Sequence, residues 1–235
     1  MKTDRNNLHE YFSTIINSII NALYNANLPI VFKGMAINRI ILKNNNAPFI
    51  RETEDIDGDW IGEQLPVEEI ENQINKALSS LDNIVVKTYR NYGEHISAGF
   101  DILQFNRKIG SFDLSIRKNE FYKLYDIDGI KFYGQTLDKT IADKIFVLST
   151  RKIFRRPKDL LDLYCLSSIT TINKDVIINI LNKSNRLLEE FKPLYNQKDE
   201  IQHAYESMFW LENKPPFEEV YDCCINISKL FIKNI

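Results

Sequence analysis

Cysteine and histidine are scarce, with three of each in 235 residues. The cysteines, Cys165, Cys223 and Cys224, form no metal-ligand spacing, and the adjacent pair is badly placed to bridge to itself. That argues against a zinc module or a disulfide scaffold and fits free or buried thiols in a reducing cytoplasm. An excess of basic charge is also missing. Lys plus Arg number 30 against 32 for Asp plus Glu, so no whole-chain positive field marks nucleic-acid binding, although a local basic patch stays open. Long apolar runs are absent: the N-terminal apolar positions are interrupted by Asn and Ser, so neither a signal peptide nor a membrane span is expected. The expectation is a cytoplasmic protein with no membrane partner. No repeat or low-complexity tract rises above a general Asn, Ile and Lys bias.

What is present is enough apolar material, 44% of residues, to bury a core with an appended bundle. Leu8, Phe12, Ile15, Ile16, Ile19 and Leu23 recur at helical spacing and predict an opening amphipathic helix ended by Asn27 and Pro29. Pro29 to Lys33 reads as a short buried strand that turns at Gly34 into a helix through Ile37, Ile40 and Ile41. After a loop at Asn44 to Pro48, alternation from Thr53 to Trp60 places Thr53, Asp55, Asp57 and Asp59 on one strand face and Ile56 on the other. A helix over Pro66 to Leu81 follows. Strands are then expected at Ile84 to Arg90, Ile96 to Phe105 and Ile109 to Arg117, the last with Asp113 beside Ser111 and Ser115, opposite Phe112, Leu114 and Ile116. A turn at Asp126 to Gly129 and a short strand to Tyr133 lead into helical chain, broken near Arg155 to Pro157, Pro193 and Pro215 to Pro216. The expected class is α+β: a mixed sheet with flanking helices over 1–135, then a helical lobe over 136–235 that completes an active-site cleft.

Asp55 and Asp57 are the chemically informative pair. Phosphoryl and nucleotidyl transfer rely on metal ions that hold the triphosphate, usually on carboxylates presented rigidly by a sheet. Hard oxygen ligands select Mg²⁺ or Mn²⁺, in keeping with the lack of His or Cys clusters. Spacing alone is weak, because a chain this rich in Asp shows an Asp-x-Asp about once by chance; Asp57-x-Asp59 and Asp126-x-Asp128 are further examples. Gly34 opens a helix whose backbone N–H groups suit a phosphate, or it is a plain strand-to-helix turn. In the helix Thr136 to Thr150, Lys144 and Arg151 fall on the apolar face of Leu137, Ile141 and Leu148, as anion ligands or as side chains that snorkel from its edge. Pro157 starts another helix, on which Asp159 and Asp162 share a face. Asp159 serves there as a general base or orients Lys144, unless both acids pair with Arg155 or Arg156.

Together, Phe-Lys-Gly-Met-Ala (32–36), Arg-Glu-Thr-Glu-Asp-Ile-Asp (51–57), Lys144 with Arg151, and Arg-Pro-Lys-Asp-x-x-Asp (156–162) resemble the AbiEii-type nucleotidyltransferases over about residues 30–165. That family includes abortive-infection and type IV toxin-antitoxin toxins, and its core is similar to that of DNA polymerase beta. The resemblance implies a Mg²⁺- or Mn²⁺-dependent enzyme that takes a nucleoside triphosphate and transfers nucleotides to an RNA acceptor, tRNA foremost, with a cognate antitoxin as partner. It implies Asp55 and Asp57 as metal acids, Lys144 as the nucleotide-contacting lysine and Asp159 as the essential downstream acid. Asp113 has the strand position of a third metal acid, Lys33, Gly34 and Arg151 are placed as further nucleotide ligands, and Lys158 and Asp162 as support. Gly34-Met35 departs from the usual Gly-Gly or Gly-Ser, and the stretch from Gly34 to Asp55 is longer than in many polymerase-beta-like enzymes. Transfer to a protein acceptor, or a catalytically degenerate member that binds a partner through its helical half, remain alternatives. A face of Tyr221, Cys224, Ile225 and Ser228 on a helix over Phe217 to Ile232 is the candidate partner surface, with packing inside the bundle as the other reading.

Overall fold

The structure, a computed structural model, describes residues 2–91, 97–150, 153–208 and 211–232, with side chains from residue 11 onward except at 154. Contacts group the chain into two units, Met1–Ile41 with Glu52–Thr136 and Leu42–Arg51 with Leu137–Ile235. The segment Leu42–Arg51 thus belongs with the helices rather than with the sheet that precedes and follows it.

The first unit opens with α1 (Lys2–Asn25), which buries Ile15, Ile16, Ile19, Ile20 and Leu23 along one stripe. Each such side chain withdrawn from water contributes about 1.5–3 kcal/mol. β1 (Ile30–Lys33) runs into α2 (Gly34–Asn44), and Gly34 takes φ +72°, a left-handed value that lets the chain turn from strand to helix within one residue. Next come β2 (Asp55–Trp60), α3 (Val67–Leu78), β3 (Ile84–Asn91), β4 (Ser97–Gln104), β5 (Arg107–Ile116), β6 (Tyr122–Ile127) and β7 (Ile130–Gln135). They form one mixed sheet in the order β3-β4-β5-β2-β1-β7-β6. β1–β7 and β2–β5 pair in parallel, whereas β1–β2, β3–β4, β4–β5 and β6–β7 pair antiparallel. Its buried side carries Ile56, Phe100, Phe112 and Leu114. The outer edge of β3 is closed by α3: Asn75 Nδ2 donates to Val86 O at 2.9 Å, and its Oδ1 accepts the Val86 N–H at 2.7 Å. That pairing satisfies backbone groups that would otherwise template association.

Strand β6 was not expected. Only Tyr125 along it is buried, so its sequence lacks the alternation that marks a half-buried strand. The hairpin is set instead by its turn, with Asp128 at φ 51° and Gly129 at φ +78°, the two left-handed residues that a tight twisted hairpin demands.

In the second unit, α4 (Leu137–Ser149) packs against α5 (Pro157–Ser167), α6 (Lys174–Lys183) and α7 (Lys192–Asn196), while α5 also meets α8 (Lys198–Glu206) and α9 (Phe217–Lys229). Pro157 stands in the first turn of α5, as its fixed φ favours. On α9 the buried face is Phe217, Val220, Tyr221, Cys224, Ile227 and Ser228, and Tyr221 donates its hydroxyl to Leu194 O at 2.8 Å. Ile225 is only half-buried, and Ile227, three residues after Cys224 and seven after Val220, is buried instead. Of the two readings of that face, packing within the helices is the one the structure shows. All three cysteines are free, and burial pushes the Cys165 thiol up to about 12, which leaves it inert. Among the described residues, no helix is long and apolar enough to cross a membrane.

Candidate active site

The sheet carries one constellation. Along β2, Asp55 is exposed, Asp57 half-buried and Asp59 fully buried, a gradient from rim to interior on a single strand face. The parallel register sets Asp55 opposite Ser111 and Asp57 opposite Asp113, and the antiparallel register sets Asp57 opposite Lys33. Directly paired residues share a face, so Lys33, Asp57 and Asp113 form one row across three strands. Ser111 Oγ donates to Asp55 Oδ1 at 2.6 Å. Gly34 abuts Asp57: a methyl group at Gly34 would fall within hard contact of Asp57 Oδ2. The first turn of α2 thereby faces a carboxylate, which the positive end of a helix dipole favours. Gly34→Ala is expected to lose about 1–2 kcal/mol of stability from its left-handed backbone alone and to displace Asp57. Urea unfolding checks this, and an unchanged midpoint would count against the close packing of Gly34 on Asp57.

Lys33 and Asp59 are engaged with each other. Lys33 Nζ lies 2.5 Å from Asp59 Oδ1, Arg117 Nε donates to the same oxygen at 2.8 Å, and Asn119 Nδ2 donates to Oδ2 at 2.9 Å. Asp59, which shares the acidic face of β2, is thus a buried, fully bonded anchor between β1 and the chain after β5. Asp113 accepts from Arg90 Nη2 at 2.7 Å and from the Tyr89 hydroxyl at 3.3 Å. Among the described residues, no three His, Cys, Asp or Glu side chains converge as a metal centre. Asp55 and Asp57 nevertheless fit a hard divalent cation as an oxygen-only pair on one face, provided that nucleotide and water oxygens supply the other ligands.

The helical unit carries a second constellation. Lys144 Nζ lies 2.5 Å from Asp159 Oδ1 and 2.7 Å from Asp162 Oδ2, with only 15% of its side chain exposed. Arg156 Nε donates to Asp159 Oδ2 at 2.6 Å. Arg51 binds Asp162 through both oxygens, Nε at 3.1 Å and Nη2 at 3.2 Å. Burial alone pulls the Lys144 pKa down, but Asp162 and Asp159 outweigh it, so the ammonium is held above its ordinary value. Asp162 shows the mirror image: burial pushes its carboxyl up, and Lys144 and Arg51 bring it below the usual carboxylate range. Lys144 is accordingly a fixed cation rather than a base near neutral pH. Asp159 thus holds Lys144 with one carboxylate oxygen and Arg156 with the other. Lys158 is exposed on the first turn of α5, and Arg151 lies outside the described residues.

Arg51 was not singled out from sequence, although it opens the motif that contains Asp55 and Asp57. A cation fixed in the otherwise unassigned stretch Asn44 to Arg51 was the available signal.

No protein-family model and no curated protein matches the chain in sequence. Among solved structures, the nucleotidyltransferase toxin MenT4 from Mycobacterium tuberculosis H37Rv aligns over 96% of this chain and 94% of its own, with TM-score 0.52 and 10% identity. The fold is that of the polymerase-beta-like nucleotidyltransferases. An antigenic nucleotidyltransferase-like protein from Paracoccidioides brasiliensis aligns over 90% of this chain and 92% of its own, with TM-score 0.47 and 15% identity. The antibiotic-resistance factor ANT(2'')-Ia aligns over 74% and 90%, with TM-score 0.47 and 13% identity. In the nucleotidyltransferase fold of this chain, β1, the Gly34 turn, α2 and β2 form one continuous stretch that carries Asp55 and Asp57.

Proposed function

We propose that this chain is a metal-dependent nucleotidyltransferase toxin of the AbiEii type, which transfers nucleotides from a nucleoside triphosphate to an RNA acceptor, tRNA 3′ ends foremost. The observation that carries this reading is the pair Asp55 and Asp57 on one face of β2, with Asp57 against Gly34 at the start of α2, within a nucleotidyltransferase fold. Asp55 and Asp57 are the residues that would hold Mg²⁺ or Mn²⁺, and Asp113 is the candidate third acid. When bound, the metal neutralises phosphate charge and orients the triphosphate. The N–H groups of the first α2 turn suit a phosphate. Lys144 has three N–H donors, two of them directed at acids. Two acids and the three cations Lys144, Arg51 and Arg156 leave that cluster with one net positive charge, which favours an anionic ligand such as a triphosphate. Attack of an acceptor 3′ hydroxyl on the α-phosphorus forms the new phosphodiester and releases pyrophosphate. Asp159, held by Lys144 and Arg156, acts by orienting the lysine.

A toxin role in phage defence, with a cognate antitoxin that restrains the enzyme in the cytoplasm, completes the reading. Incubation of the purified protein with each labelled triphosphate, Mg²⁺ and a tRNA pool tests the chemistry, and label on RNA is the expected outcome. Label on polypeptide would replace RNA by a protein acceptor. Nucleotide binding without transfer to either would favour the degenerate, partner-binding alternative. Growth arrest on expression, relieved by Lys144→Ala, tests the toxin role.

A further inference from the structure

Asp113 and Asp57 are cross-strand partners, so two carboxylates face the same side at the same level, an arrangement that repels unless a cation intervenes. Arg90 supplies one, with Nη2 at 2.7 Å from Asp113 Oδ1, and the Tyr89 hydroxyl donates to the same oxygen at 3.3 Å. Neighbours on a regular strand point to opposite faces. Tyr89 and Arg90 reach one atom because the β3–β4 register shifts between Thr88 and Arg90, the kind of bulge that re-aims side chains. Gly99 on β4 makes room for the result: a methyl group there would stand 2.6 Å from the Tyr89 ring. The ring is held by two cations, the Arg90 guanidinium at 5.3 Å and the Lys108 ammonium at 5.1 Å from its centroid. A register shift, a glycine and a cation-flanked ring thus converge on one oxygen of one acid.

We propose that Arg90 is a built-in competitor of the divalent cation at Asp113: the guanidinium holds that carboxylate until a metal ion takes the same oxygen. This rests on the reading of Asp55 and Asp57 as metal acids. The pair is built to open, since Arg90 is 38% and Asp113 37% exposed, and an ion pair that open changes an equilibrium by no more than about five-fold. Competition fixes the sign of the effect. A positive side chain beside Asp113 lowers cation affinity, and a neutral one raises it.

The test is Mn²⁺ binding to the full-length protein, read from the spin-resonance signal of free Mn²⁺, with circular dichroism melts to verify folding. Arg90→Gln is expected to bind Mn²⁺ about two- to five-fold more tightly than wild type, whereas Arg90→Lys, which keeps the charge, should stay close to it. Asp113→Asn should weaken binding, and adding Arg90→Gln to it should have no further effect. Equal or weaker Mn²⁺ binding by Arg90→Gln overturns the proposal, as does an Asp113→Asn variant that binds like wild type. If Asp55→Ala loses Mn²⁺ while Arg90→Gln is unchanged, only the competitor role fails. If wild type and Asp55→Ala bind Mn²⁺ alike, or neither binds it, the metal reading falls and takes this inference with it.

Discussion

Lys144→Met is expected to lower the unfolding free energy by about 3 kcal/mol, at the low end of the 3–5 kcal/mol typical of a broken buried ion pair, because Arg51 and Arg156 still face the two acids it abandons. Asp159 and Asp162 are each 3% exposed, so solvent cannot replace the missing ammonium. The pH dependence has a definite sign. Asp162 has a depressed pKa in the folded chain, so its contribution is complete above the unfolded value of about 3.9 and is lost as pH falls through the lower folded value. Lys144 has a raised pKa, so its contribution is complete below about 10.4 and is lost as pH rises through the higher folded value. Wild-type stability from this cluster should therefore be flat between those limits. In the methionine variant Asp162 has lost the cation that lowers its pKa most, so its folded and unfolded values draw together and less stability is left to lose as pH falls below about 3.9. Urea midpoints at pH 7 and at about pH 3 check both statements. A loss below about 1 kcal/mol at pH 7 would show that the cluster behaves like an exposed pair. Lys144→Arg separates support from nucleotide contact: restored stability without restored transfer assigns Lys144 to the reaction, and recovery of both means that charge alone matters.

Apart from β6, the strands, the leading helices and the acidic face of β2 were legible in the sequence because each rests on local periodicity or on a residue with a special backbone, such as Gly34 or Pro157. Faces could be read, but partners could not. Asp59 shares the face of Asp55 and Asp57 by alternation, yet its three bonds come from residues on β1 and beyond β5, and only register brings these together. The partner of Lys33 was out of reach for the same reason: its salt bridge to Asp59 spans 26 positions. The Arg51–Asp162 bond spans 111, and no spacing rule reaches that far. Arg90 was hidden by the shift in register at Thr88, which breaks the alternation from which its direction would have been inferred. Lys144 was the opposite case. A lysine on a buried stripe demands an anion, and two acids on a neighbouring apolar helix were the available supply.

Asp57→Asn is expected to reduce nucleotidyl transfer by roughly three orders of magnitude, the kinetic equivalent of about 4 kcal/mol of transition-state charge stabilisation. Its stability should stay within about 1 kcal/mol of wild type. Two effects of similar size oppose each other here: relief of the like charge on Asp113 adds about 0.2–1 kcal/mol, and loss of an anion at the start of α2 removes about 0.3–1 kcal/mol. Asp59→Asn, one turn of the pleat further along the same strand, should do the reverse of this on stability, with a loss of about 3–5 kcal/mol as Lys33 is left without its buried partner. The three acids of β2 thus divide by depth. Asp59 is fully buried with two fixed cations and an amide, so its charge serves the fold. Asp55 is exposed at the rim and Asp57 half-buried beside the start of α2, where an incoming ligand can reach them. Single-turnover transfer and urea unfolding on Asp55→Asn, Asp57→Asn and Asp59→Asn measure the division. If Asp57→Asn transferred nucleotide at the wild-type rate, β2 would hold no metal acids.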